Sequence, residues 1–211
     1  MRPEQLILAI VTAYQDARAA YKPHGKIRRG RSHPISSITE DLFANYLVTN
    51  DASIDAVYID QPISLASPKQ QIYPDIVITR NGTITALVDI KMDLGWNRTG
   101  LYDLCKKHQG IVRKARSTMC TLKDGQTKKL RTLRLSKQLS YNIVLISRTN
   151  IQETLLDTQL KKVQSLSPEL DVFVLCNKGT PNSYGGAPKQ VMKDIVIDSS
   201  EFARLAKKLR A

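Results

Sequence analysis

What the chain lacks narrows its class before any motif is considered. It has three cysteines in 211 residues, Cys105, Cys120 and Cys176, and none sits in a CxxC pair. So sparse and odd a set argues against a disulfide framework and for a reducing cytoplasm. Cys105 and His108 stand three apart on a predicted helix, but no second ligand pair exists to complete a zinc site. No apolar run approaches the length needed to span a bilayer. The apolar stretch 6–11 is flanked by Glu4 and Asp16, which spoils it as a signal core. No internal repeat is present. Acids are scarce, 19 Asp and Glu against 32 Lys and Arg, for a net charge of +13. That balance points to a polyanionic partner.

The positive charge is unevenly placed. Residues 106–137 hold eleven Lys or Arg and a single acid, Asp124, and residues 24–33 hold Lys26, Arg28, Arg29 and Arg31 with no acid. Neither cluster alternates with large apolar residues as an interfacial helix does, so a membrane is the poorer partner and a phosphate backbone the better one. The expected backbone contacts are Lys26, Arg28, Arg29 and Arg31 in the first cluster. In the second they are Arg113, Lys114, Arg116, Lys128, Lys129 and Arg131.

Hydrophobic residues make up 42% of the chain, enough for one sizeable core and one domain. Apolar periodicity predicts helices over about 3–21, 37–48, 101–119 and 151–166. Ser37 and Glu40 form a capping-box pattern at the start of the second. Strands are predicted at 56–60, on both sides of Asn81-Gly82, at 141–147, at 171–176 and at 194–198. Residues 121–137 read as a polar cationic excursion with an Asp124-Gly125 turn. Ser200 is placed to cap a last helix. Strand, helix, strand over 141–176 implies a parallel crossover. The fold class is therefore α/β, a mixed central sheet flanked by helices, with an N-terminal helix and a C-terminal strand-helix extension at about 190–211.

The stretch 73–91 carries the chemistry. Val, Ile and Thr flank Asn81-Gly82, the strongest short hairpin signal. Asp is disfavoured inside strands, so Asp75 and Asp89 at the strand ends need a reason. A two-residue turn would set them on opposite faces. A three-residue loop, 80–82 with Gly82 left-handed, pairs Thr79 with Thr83 and separates a polar face from an apolar one. That register sets Asp75 diagonal to Asp89, roughly 7–8 Å apart, with Lys91 on the same face. Two carboxylates and a neighbouring carbonyl suit a hard divalent cation such as Mg²⁺, and a lysine beside it completes what metal-assisted phosphodiester hydrolysis needs.

Pro74-Asp75 followed by Asp89-Ile90-Lys91 resembles the PD-(D/E)xK nuclease superfamily, which includes many type II restriction endonucleases. Glu40, on the helix before the first core strand, sits where that family carries a glutamate. The resemblance covers about residues 36–176 and implies a restriction-endonuclease-like αβββαβαβ core with a basic insertion at about 120–138. It implies Asp75, Asp89 and the Ile90 carbonyl as Mg²⁺ ligands, with Mn²⁺ able to substitute. Lys91 would position or polarise the attacking water, and Glu40 would complete the shell, directly or through water. The expected activity is Mg²⁺-dependent cleavage of double-stranded DNA, as a cytoplasmic restriction enzyme acting as a homodimer without a small-molecule cofactor. A repair, recombination or transposition nuclease shares the same core. A non-catalytic nucleic-acid-binding module with a vestigial site is the reading from another class, and the intact Asp, Asp, Lys set argues against it.

Overall fold

The computed structural model describes residues 1–20, 34–66, 69–95, 99–166, 168–184 and 186–210. In chain order the elements are α1 (Pro3–Ala20), α2 (Ser36–Asn50), β1 (Ala56–Ile59), β2 (Ile63–Leu65), β3 (Gln70–Ile72), β4 (Ile76–Arg80) and β5 (Thr83–Lys91). Then come α3 (Leu101–Ala115), β6 (Met119–Lys123), β7 (Leu130–Leu145), α4 (Glu153–Gln164) and β8 (Leu170–Val174). The chain ends with β9 (Cys176–Lys178), α5 (Pro188–Lys193), β10 (Val196–Ile197) and α6 (Ser199–Arg210). Among the described residues no helix is long and apolar enough to cross a membrane.

The centre is a mixed sheet. β1, β4 and β5 run antiparallel in that order, and β7 and β8 then add in parallel to β5. The parallel steps are forced by the crossover helices α3 and α4. Strand alternation divides the core in two. Ile76, Ile78, Ala86, Val88 and Ile90 pack on one face against α1, α2 and α6. Val77, Leu87, Tyr141, Ile143 and Leu145 pack on the other against α3, α4 and three short strands. The face expected to be polar is therefore mostly a second apolar layer, with carboxylates only at its end.

Those short strands are β2, β3 and β6. Only residues 60–62 separate β1 from β2, so β2 stays close to the end of β1, and the β3-β2-β6 layer lies over the second core. β6 pairs with the first third of β7. The stretch read as a cationic excursion is thus a β-hairpin, and β2 and β3 were not predicted. β7 bends between its halves, because Leu135 and Ser140 are separated by four residues where their partners Ile84 and Ala86 are separated by one.

Three local expectations are corrected. The Asn81-Gly82 turn has two central residues, both at positive φ (49° and 69°), so Arg80 pairs with Thr83. A bulge at Thr85 then shifts the pairing, setting Ile78 opposite Ala86 and Ile76 opposite Val88. The capping box does not form, because α2 begins at Ser36 without a side-chain cap. For α6 the cap is Asp198, whose Oδ1 accepts the Ser200 and Glu201 N–H groups at 3.0 and 3.1 Å.

Candidate active site

The bulge at Thr85 decides what the end of the hairpin can do. The ladder ends at the Ile76–Val88 pair, which leaves Asp75 and Asp89 as the next residues of their strands at that end. β4 has ended there, so Ile90 has no ladder partner on that side, and its N–H donates to Asp75 Oδ2 at 2.5 Å. The Lys91 carbonyl points the other way, accepting the Ile146 N–H at 2.9 Å. Successive carbonyls of a strand alternate in direction, so the Ile90 carbonyl points toward Asp75. Lys91 Nζ stands 3.2 Å from Asp75 Oδ2 and 4.0 Å from Asp89 Oδ2.

Asp89 lies deeper, at 8% exposure. Its Oδ1 accepts the Tyr141 hydroxyl at 2.8 Å. The His108 ring stacks on the Tyr141 ring with centroids 4.1 Å apart, and His108 Nε2 is 3.9 Å from Asp89 Oδ2. Burial, then the charges of Lys107 and Lys91, pushes His108 down to about 4, so it is neutral near pH 7 and this contact is not an ion pair. Tyr141 is held protonated by burial and then by the Asp89 charge, which raises its hydroxyl well above the usual range.

Glu40 comes from α2. Thr39 anchors that turn, its hydroxyl donating to the Ile35 carbonyl at 3.0 Å, while Phe43 and Leu47 hold the helix on the sheet. Glu40 then lines a cleft of about 410 Å³ with Ser36, Asp75, Ile90, Lys91 and Asp93. Burial, followed by the charges of Asp75 and Asp60, pushes its carboxyl up to about 7. Burial also raises Asp75, and Asp89 adds to the rise, against the Ile90 N–H and Lys91, which lower it. Negative charge is therefore gathered here in excess of what one lysine neutralises.

That excess fits a cation. Among the described residues, no group of three His, Cys, Asp or Glu side chains is already gathered around one point. The available donors are Asp75, Asp89 and the Ile90 carbonyl, all oxygen, which suits Mg²⁺ or Mn²⁺ rather than zinc. The three cysteines are free and buried, and none faces this cleft.

The predicted backbone contacts divide. Lys26, Arg28, Arg29 and Arg31 lie outside the described residues. Arg113 and Arg116 pair with Glu169 at 3.4 and 3.3 Å, and Arg116 also donates to the Leu139 carbonyl. Leu139 lies in the register shift of the parallel β5–β7 pairing, just before the Ala86–Ser140 pair, and Lys91 lies at the far end of that pairing, roughly 16 Å along the strand. α3 has carried Arg113, Lys114 and Arg116 away from the carboxylates. Lys128, Lys129 and Arg131 lie at the β6–β7 turn, which comes back toward them. A Cβ on Gly125 would meet Gln61 Nε2 at 3.0 Å, and the neighbouring Asp60 N–H donates to the Asp75 carbonyl at 2.9 Å.

Sequence reasoning weighs His108 beside Cys105, as half of an incomplete zinc site. A signal is nonetheless present: Leu101, Cys105, His108 and Val112 follow helical spacing, and the other three are buried. Tyr141 lies in the buried run 139–145 of β7 with a hydroxyl that has to find a partner. No protein-family model matches the chain, and neither a curated protein nor a solved structure matches it.

Proposed function

We propose that this chain is a Mg²⁺-dependent endonuclease that hydrolyses phosphodiester bonds in DNA. The observation that carries the reading is the convergence of Asp75, Asp89 and Lys91 at the end of one hairpin, beside a cleft lined by Glu40 and Ile90. The order α2, β1, β4, β5, α3, β7, α4, β8 supports the same reading, since it is the αβββαβαβ order of a restriction-endonuclease-like core.

Asp75, Asp89 and Ile90 would hold the ion. An ion held by them would supply Lewis-acid charge at the scissile phosphate. Lys91 brings a positive charge to the same place, able to orient the attacking water and offset charge building on the phosphate oxygens. Water oxygen bonds phosphorus as the bond to the 3′ oxygen breaks, and the leaving oxygen takes up a proton. Glu40 exchanges a proton near neutrality, the range in which a general acid or base is most effective. Tyr141 and His108 keep Asp89 from turning away.

The test is incubation of plasmid and genomic DNA with the protein in Mg²⁺ or in EDTA. Cleavage in Mg²⁺ alone is expected, and discrete fragments assign the restriction subtype, in which two copies would serve two strands. Intact DNA under both conditions contradicts the proposal.

A further inference from the structure

One sheet face outside the cleft has no partner among the described residues. The β3-β2-β6 layer and the first third of β7 bury Ile63, Leu65, Ile72, Cys120 and Leu122 inward. The opposite face presents a straight row across four strands. Gln71 lies opposite Ser64, Ser64 opposite Thr121, and Thr121 opposite Thr132. The row is short-chained and rich in hydrogen-bond donors, with neighbours about 4.8 Å apart. Lys123 and Arg134 stand two residues to either side of it, opposite Leu130 and Met119. Tyr73 extends it toward the cleft, its hydroxyl donating to Gln71 Oε1 at 2.8 Å.

Two properties mark this as a contact surface. Tyr73, Met119 and Leu130 are 67%, 45% and 70% exposed, and they are three of the seven exposed large hydrophobic residues among those described. Such residues gathered on one face call for a partner. The face also carries no free acid. Residues 61–74 contain none, and the one acid in 117–137, Asp124, is paired with Arg131 at 3.1 Å.

We propose that this face is a docking platform for duplex DNA, with Lys123 and Arg134 on phosphates and the Ser64, Thr121 and Thr132 hydroxyls donating to backbone oxygens. The choice of partner rests on the nuclease reading and on charge. A second copy would set a basic face against itself across a two-fold axis. Continuity with the cleft supplies the geometry. Tyr73 is two residues from Asp75, and the β6–β7 turn abuts Gln61 beside Asp60. A duplex with one phosphate at Asp75 and Asp89 therefore continues over the row.

The test is anisotropy with a short labelled duplex in EDTA, so that no cleavage intervenes, over a series of salt concentrations. The Lys123→Gln, Arg134→Gln double variant should flatten the slope of log affinity against log salt by about 1.8, at about 0.9 for each phosphate no longer neutralised. The Thr121→Val, Thr132→Val pair keeps strand-forming side chains and should weaken binding about three- to tenfold. Thermal melts of both confirm folding. Wild-type slope and affinity in both variants overturn the platform. Self-association abolished in these variants while DNA affinity holds assigns the face to a second copy and overturns it too. A wild type that binds with the full slope yet never cleaves in Mg²⁺ overturns the nuclease reading and leaves the platform standing.

Discussion

The Tyr141 hydroxyl donates to Asp89 Oδ1 at 2.8 Å from the strand next to the one that carries Asp89. This bond leaves Oδ2 as the oxygen nearest Lys91, so it sets which way the carboxylate faces. Tyr141→Phe keeps the ring that stacks on His108 and removes the donor. An unpaired buried acceptor costs about 1–3 kcal/mol, which urea denaturation measures directly. The same variant should bind Mg²⁺ more weakly in calorimetric titration. Unchanged stability and unchanged Mg²⁺ affinity would show that Tyr141 only fills space.

Glu40 makes stability depend on pH in a stated direction. Its carboxyl is raised from 4.5 to about 7 in the folded chain, by burial and then by the charges of Asp75 and Asp60. The folded state therefore holds a proton that the unfolded chain has already released. The stability this contributes is complete below pH 4.5 and is lost as pH rises through about 7. Glu40→Gln removes the titration, so the melting temperature of the variant minus that of wild type should rise from acid to about pH 8 in EDTA. Added Mg²⁺ should shrink the gap by supplying the missing positive charge. A difference independent of pH contradicts the assignment.

The basic residues of α3 and of the β6–β7 turn should behave differently. Neutralising Lys128, Lys129 and Arg131 should lower the salt slope of DNA binding by about 0.9 for each phosphate they would otherwise neutralise. Arg113 and Arg116 are paired with Glu169, and Arg116 holds the Leu139 carbonyl, so Arg116→Ala should cost stability first. Salt titrations of the two triple variants, Arg113, Lys114 and Arg116 against Lys128, Lys129 and Arg131, decide between them. Equal slopes in both would remove the distinction drawn from the fold.

Much of this arrangement is legible in the sequence where one period dominates. Leu6, Ile7, Ile10, Val11 and Tyr14 mark α1, and the apolar run at 141–147 marks the buried end of β7. Asp75, Asp89 and Lys91 are legible because carboxylates at strand ends need a reason. The short strands are not. β2 and β3 have three residues each, too few for alternation to stand out. In β6 and early β7 the alternation is present, with Cys120, Leu122 and Leu135 inward, but the intervening Lys and Arg read as loop. The register fails for another reason. Local turn chemistry sets two residues in the turn, and the demand for one buried face is met by the bulge at Thr85 instead. Tyr141 reaches Asp89 through the pairing of β5 with β7, and His108 through the packing of α3 on β7, tertiary facts that no spacing encodes.

The most direct test of the central claim compares wild type, Asp75→Asn, Asp89→Asn and Lys91→Ala on one labelled DNA duplex in Mg²⁺, with DNA binding measured in parallel. Cleavage should be present in wild type, absent in EDTA and abolished in all three variants. The two Asn variants should bind DNA at least as well as wild type, because repulsion between carboxylate and phosphate has fallen. Full cleavage by either Asn variant, or no cleavage by wild type in Mg²⁺, would contradict the account.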